Sequence, residues 1–277
     1  MVVTWTSIQL RRLQELNASA EQQSLRFATR GERNCAFQDL ERGLVSRARQ
    51  RLEDLRDAKR RPLLCQLESN LATALTEEGF VQVATPNIIS KASLAKMSIS
   101  AGHPLFAQVF WLDDRRCLRP MLAPNLYTLW RDLVRLWEKP IRIFEIGTCY
   151  RKELQGSQHL NEFTMLNITE LGLPLDQRHG RLEELTSLVM AVAEIDGYTL
   201  IPSESAVYGH MLNVVKGVEL ASGTMGPHPL DGNWGIAEPW IGICFGLERL
   251  LMVREGTQNV QCVGRSLSYL DGVRLNI

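Results

Sequence analysis

The sequence predicts an α+β fold, an antiparallel sheet flanked by helices, with a helical extension at the N-terminus. Three observations carry this. Leucines at 63, 67, 71 and 75 repeat every four residues. Ile141–Ile146 and Phe163–Ile168 alternate as strands do. The apolar run Trp240–Phe245 passes through Gly246 into the helical pattern Leu247–Val253.

In chain order, Trp5 to Arg61 is polar and helix-favouring, with apolar residues at Ile8, Leu10, Leu13 and Leu16 and again at Leu40, Leu44, Leu52 and Leu55. We take residues 1–61 as the extension and 62–277 as the main domain. The later part of the extension is crowded with Arg42, Arg47, Arg49, Arg51, Arg56, Lys59, Arg60 and Arg61. Such a run is a solvated helix face or a phosphate-contacting surface. Pro62 suits a first helical turn and Gly79 a helix end, bracketing the leucine repeat. Phe80–Val83 then alternates as a strand that stops at Thr85-Pro86, where proline cannot donate to a ladder. Ile141–Ile146 is the next strand, before Gly147, and in Phe163–Ile168 the residues Phe163, Met165 and Asn167 share one face. Leu182–Ala193 is expected to be a helix.

Composition narrows the function classes. The chain has 277 residues, 45% of them hydrophobic, enough for one large globular domain and too apolar for a disordered one. Lysine plus arginine equals aspartate plus glutamate at 31 each, so any nucleic-acid contact must use a local patch. The six cysteines are dispersed, without a CxxC pair or metal-ligand spacing, as expected of reduced thiols in the cytoplasm. No apolar run approaches the ~20 residues of a membrane span, and the start lacks a signal-peptide pattern. Neither a membrane nor DNA is expected as a partner.

Two segments carry chemistry. The first, Phe144-Glu-Ile-Gly-Thr-Cys-Tyr-Arg-Lys-Glu153, leads through a polar loop to His159 and Glu162-Phe163. It places Arg151 and Glu153 two apart on a strand, so that both project from one face, either as a cross-strand ion pair or as guanidinium and carboxylate for a nucleotide's α-phosphate and adenine amine. The second, Gly242-Ile-Cys-Phe-Gly-Leu-Glu-Arg249, is a strand-to-helix turn in which Gly246 permits close backbone approach and Arg249 can reach a triphosphate. Between them, Glu219 and Ser222 supply a carboxylate and a hydroxyl three residues apart.

The ordered pair of segments, together with the long helix that feeds a proline-ended strand, resembles the three motifs of class II aminoacyl-tRNA synthetases. Leu118-Arg-Pro-Met-Leu-Ala-Pro-Asn-Leu-Tyr127, Glu162-Phe-Thr-Met-Leu-Asn167, Pro239-Trp-Ile-Gly242 and Phe245-Gly-Leu-Glu-Arg-Leu-Leu251 are similar to the pyrrolysyl-tRNA synthetases in particular. So is the tail Ser266–Gly272, and weaker similarity covers nearly the whole chain. The likeness is to short members without a separate N-terminal tRNA-binding domain. It implies the class II catalytic fold, ATP and Mg²⁺, a homodimer built on the first motif, and a cognate tRNA of the pyrrolysine, amber-suppressor type.

Residue by residue, the resemblance assigns catalysis to Arg151 and Arg249. ATP would be bound by these two with Glu153, His159, Leu160, Phe163, Glu219 and Ser222, His159 and Phe163 flanking the adenine. Glu219 and Ser222 would hold Mg²⁺. Ala123, Leu126, Tyr127, Trp130 and Asn167 would surround the amino acid, with Thr169, Thr224, Trp240, Gly242 and Cys244 beside them. Tyr208 would close over the substrate from a hairpin, and Asn167 would bond a side-chain amide carbonyl. Without the resemblance, Asn167 equally suits a satisfied core polar residue, and Phe163, Tyr127 and Trp240 suit core aromatics.

Four positions depart from the family pattern. Trp130 stands where leucine or methionine is usual, Cys244 replaces a glycine, and Thr169 and Thr224 add hydroxyls. The added bulk predicts a narrower side-chain pocket. Three alternatives to pyrrolysine activation follow: a pocket altered for another noncanonical amino acid, a synthetase-like RNA-binding regulator, and a ligase that acylates a small amine.

Overall fold

The computed structural model of the protein describes residues 2–153 and 159–277. Residues 154–158, in the polar loop after Glu153, lie outside it. By contact the chain forms two compact units, Met1–Leu63 with Gln261–Ile277, and Leu64–Val260.

In the first unit, α1 (Ser7–Glu15) and α2 (Ala20–Gln23) each begin with a capping box, on Thr6 and Ser19, which satisfies helix-end N–H groups that would otherwise be orphaned. The 25-residue α3 (Arg30–Asp54) buries only Leu44 of its own length, so most of its surface faces water. Trp5, Leu13, Leu16, Ala18 and Leu44 form this unit's small core. The C-terminal residues belong to it: Arg51 lies 3.6 Å from Asp271, and the Asn17 amide donates to the Gly272 carbonyl at 2.6 Å. Arg51 is therefore turned inward, whereas Arg42, Arg47, Arg49, Arg56, Lys59, Arg60 and Arg61 are exposed.

The second unit opens with α4 (Leu63–Glu77), whose buried face is Leu64, Leu67, Leu71 and Leu75. Gly79, at φ +88°, follows the helix in the left-handed conformation that glycine alone adopts freely. Next come β1 (Val81–Gln82), β2 (Ile88–Ser90), α5 (Lys91–Lys96), α6 (Pro104–Ala107), β3 (Arg116–Leu118) and α7 (Ala123–Leu133). The long strands β4 (Ile141–Tyr150) and β5 (Glu162–Leu171) lead to α8 (Arg178–Val192). Three further strands, β6 (Thr199–Ser205), β7 (Gly209–Lys216) and β8 (Val218–Gly226), precede β9 (Trp240–Gly246) and α9 (Leu247–Arg254).

Seven of these strands make one sheet in the order β1-β4-β5-β9-β8-β7-β6. Its pairs are antiparallel except at one edge, where β1 runs parallel to β4. The expected α+β layout of an antiparallel sheet with flanking helices is present, the parallel edge pair being the exception. The register aligns residues across five strands: Glu145 faces Asn167, which faces Cys244, then Ser222, then Asn213. Two residues further along, Ile143, Thr169, Gly242 and Thr224 form a second row. Directly paired residues share a face, so these rows floor one side of the sheet.

Candidate active site

Over that floor lies a cavity of about 470 Å³, within the range of small-molecule sites. Every residue assigned to nucleotide, metal or amino acid from the sequence lines it, from Ala123 and Leu126 on α7 to Arg249 on α9, with His159 exposed and Leu160 half-buried.

One half of the cavity rests on two arginines and a bulge. β4 ends at Tyr150, so Arg151 and Glu153 are not on the strand as expected. The chain turns at once, with Glu153 N–H donating to the Arg151 carbonyl at 2.9 Å, and both side chains still reach the cavity. Asn161 holds the turn, its carbonyl accepting from Arg151 N–H at 3.0 Å and its side-chain oxygen from Glu153 N–H at 3.1 Å. The Arg151 guanidinium donates to the Pro120 carbonyl at 2.9 Å and sits 5.3 Å over the Phe163 ring. Burial lowers its pKa, yet an arginine stays charged at any physiological pH. Arg249 donates to the Glu219 carbonyl at 3.1 Å.

Glu219 and Ser222, three apart on β8, would face opposite ways on a regular strand. The ladder shifts here: Val214 faces Ala221 while Val215 faces Glu219, leaving Leu220 unpaired. This bulge restores both side chains to one face, where Ser222 Oγ lies 3.3 Å from Glu219 Oε1. Asn213 joins them, accepting from Ser222 Oγ and donating to Glu219 Oε2, both at 2.9 Å. Hard oxygen donors converging at a half-open surface fit a magnesium ion that keeps several waters.

The other half is aromatic. Tyr127 meets Trp130 at 5.1 Å, Trp234 at 5.4 Å and Trp240 at 5.8 Å between ring centroids, and Trp130 meets Trp240 at 5.3 Å. Trp130 is 2% exposed, so it fills the deep end. Trp240 also needs its glycine neighbour, because a Cβ on Gly226 would stand 1.8 Å from its indole nitrogen. Asn167 is buried with its Oδ1 unpaired, as is the hydroxyl of Thr224, whereas Thr169 donates to the Ile143 carbonyl at 3.2 Å. With His103 Nε2 and Trp130 Nε1, also buried and unpaired, the described lining holds four such atoms, better explained by a ligand that pairs some of them than by a satisfied core. Cys244 stands between Asn167 and Ser222 in the floor row, at the junction of the two halves. Burial pushes its thiol up to about 12, against a smaller opposing pull from Arg151, so it stays protonated.

Comparison with known proteins agrees with this geometry. Residues 52–271 match the family model of the tRNA synthetases class II core domain (F). A crystal structure of pyrrolysyl-tRNA synthetase from Desulfitobacterium hafniense is 62% identical, with a TM-score of 0.94, covering 99% of each chain. A second structure from that organism, PylSc, a pyrrolysyl tRNA synthetase, is 61% identical, with a TM-score of 0.91, covering 99% of this chain and 96% of that one. The chain belongs to the pyrrolysyl-tRNA synthetases of class II. More distant relatives share shorter stretches. A threonine–tRNA ligase of Wolbachia pipientis is 31% identical over 100 residues, 34% of this chain and 15% of its own length. A histidine–tRNA ligase of Metallosphaera sedula is 27% identical over 110 residues, 38% of this chain and 25% of its own length.

Four residues of the synthetase escaped the reading of its sequence. Asn161 and Asn213 act locally, and each lies within a few residues of a motif, which was the available signal. Glu248 is buried and accepts from Thr164 N–H with both oxygens, at 2.8 and 2.9 Å. It takes over the β5 ladder where β9 ends, since Met165 is the last β5 residue paired to that strand. Asp231, far from every motif, gave no signal.

Proposed function

We propose that this synthetase activates pyrrolysine or a related lysine derivative with ATP and Mg²⁺ and transfers it to its cognate amber-suppressor tRNA. The observation that carries the reading is the one cavity that joins a phosphate-ready half, Arg151, Arg249 and the Glu219–Ser222 pair, to an aromatic half with an unpaired amide oxygen at Asn167. Aminoacylation of tRNA is the activity of its family; the amino acid is inferred from the pocket and from the name borne by the Desulfitobacterium structures.

In the first step the substrate carboxylate attacks the α-phosphorus, the bond to the β-phosphate oxygen breaks, and pyrophosphate leaves. Arg151, fixed by Pro120 and Phe163, offers its guanidinium to the charge developing on the α-phosphate. Arg249 addresses the outer phosphates from the start of α9, and Glu153 accepts from the adenine amine. Glu219 and Ser222 would hold Mg²⁺, which when bound neutralises phosphate charge. Tyr208, on the turn between β6 and β7, covers the amino acid, whose side-chain amide meets Asn167. In the second step a terminal ribose hydroxyl of the tRNA takes the acyl group and AMP departs. No protein nucleophile is needed; positioning and fixed charge suffice. The synthetase acts as a homodimer through the β1 region, where Val81 and Ile88 are exposed apolar residues.

Aminoacylation of a transcribed tRNA with pyrrolysine and a panel of lysine and phenylalanine analogues tests the substrate. The Arg151→Ala enzyme should fold normally and lose amino-acid-dependent ATP/pyrophosphate exchange by at least ~100-fold, as removal of a transition-state charge partner does. Retained exchange would remove Arg151 from its role.

A further inference from the structure

The 3₁₀ turn Pro229–Asn233 contributes nothing to the lining of the cavity, yet three of the cavity's aromatic residues are tied to it. Asp231, 4% exposed, uses both carboxylate oxygens. Oδ1 accepts from the Tyr127 hydroxyl at 2.8 Å, and Oδ2 from the Trp240 indole N–H at 2.9 Å and from His228 N–H at 2.6 Å. Tyr127 comes from α7 and Trp240 from the start of β9, so one carboxylate fixes a helix against a strand.

The same turn reaches the hairpin. His228 Nδ1 accepts from Leu230 N–H at 3.1 Å, which leaves Nε2 as the protonated nitrogen, and Nε2 lies 2.7 Å from the Tyr208 carbonyl oxygen. The Tyr208 ring in turn stands 6.4 Å from Trp240 and 5.7 Å from His228 between centroids.

The hydroxyl of tyrosine and the N–H of tryptophan are the only polar handles on otherwise apolar rings, and a partner for the handle fixes how the ring is turned. Without Asp231, two buried donors would be orphaned and both rings free to rotate into the pocket. We propose that Asp231 is a positioning residue for amino-acid recognition. It sets the orientation of the Tyr127 and Trp240 walls and, through His228, couples them to the Tyr208 hairpin, without touching substrate. The proposal rests on the reading of the aromatic half as the amino-acid site.

The test is steady-state ATP/pyrophosphate exchange with amino acid and ATP varied separately, on wild type, Asp231→Ala and Asp231→Asn, with near-ultraviolet circular dichroism to report the ring environments. Asp231→Ala should raise the KM for the amino acid by roughly tenfold, the scale of orphaned buried donors, and leave the KM for ATP within about twofold. Asp231→Asn keeps an acceptor for Trp240 and His228 and can donate to the Tyr127 oxygen, so it should recover most of the affinity and of the dichroism. An unchanged amino-acid KM in Asp231→Ala, or an equal rise for ATP, overturns the proposal. If Asp231→Ala does not fold, Asp231→Asn decides, with about a threefold rise in amino-acid KM alone supporting the proposal and no rise overturning it. If wild type exchanges with no amino acid of the panel, it is the substrate reading that fails. The dichroism then decides by itself: an Asp231→Ala spectrum identical to wild type overturns the positioning role, and one altered and restored in Asp231→Asn upholds it.

Discussion

Cys244 is the residue at which added volume bears most directly on what the cavity can hold. In the floor row it stands between Asn167, in the aromatic half of the cavity, and Ser222, in the half with the two arginines. A side chain at that junction occupies room a glycine would leave open, and packed cavities yield little to added volume. Cys244→Gly should therefore raise pyrrolysine-dependent exchange by several-fold, mainly through a lower KM for the amino acid, and leave the KM for ATP nearly unchanged. An unchanged amino-acid KM in kinetics of the variant would mean the neighbours have already repacked around the sulfur. Trp130 differs, because its ring is locked among Tyr127 and Trp240 and is almost wholly buried. Its truncation to leucine would open a void as well as the pocket, with a stability loss of order 2 kcal/mol to weigh against any gain.

Among the elements, β8 brings Glu219 and Ser222 together by an irregularity. Deleting Leu220, the residue left unpaired by the bulge, would make the strand regular and set Glu219 and Ser222 two apart, still on one face. The deletion variant should stay folded if β7 and β9 still pair with it, and should keep its Mg²⁺ requirement for half-maximal exchange within a few-fold of wild type; a magnesium titration alongside Mn²⁺ binding measured by paramagnetic resonance would check both. A far higher metal requirement would show that a shared face is not enough for Glu219 and Ser222 to act together. The bulge also marks where the sequence stops being informative. The leucine repeat of α4, the alternation of β4 and β5 and the glycine turn into α9 were legible because each is a local periodic pattern with its own stop signal. The end of β4 at Tyr150 was not, since continued alternation through Arg151 and Glu153 mimics a strand while Asn161, eight residues beyond Glu153, turns the chain. Asp231 was illegible for the same reason on a larger scale: its partners lie 104 and 9 residues away, and nothing in a PLDG segment announces them.

For the molecule as a whole, two properties sum over many groups. The first is alkaline stability. Burial pushes the thiols of Cys117 up to about 11 and of Cys149 and Cys244 to about 12, from an ordinary value of 9.0. Above pH 9 the unfolded chain releases protons that the folded chain retains, so stability is complete below that value and falls as pH rises towards 12. Denaturant unfolding followed from pH 7 to pH 10.5 should show this decline, and substituting Cys149 by alanine should make it shallower; an identical slope would dismiss that thiol as a contributor. The second property is tRNA affinity. Because the chain carries 31 basic and 31 acidic side chains, attraction to a polyanion cannot come from net charge and must be local. On α3, Arg47 and Arg49 are exposed, whereas Arg51 is held by Asp271 and Arg42 has Asp39 at 3.5 Å. If these exposed arginines neutralise phosphates, each contact releases condensed counterions, and the tRNA KM should climb steeply between roughly 50 and 200 mM salt. Reversing Arg47 and Arg49 to glutamate should raise that KM and flatten its salt dependence by about two contacts, while pyrophosphate exchange, which needs no tRNA, stays at the wild-type rate. Aminoacylation by the double variant with an unaltered salt slope would place the tRNA contacts elsewhere and leave the stripe as a solvated helix face.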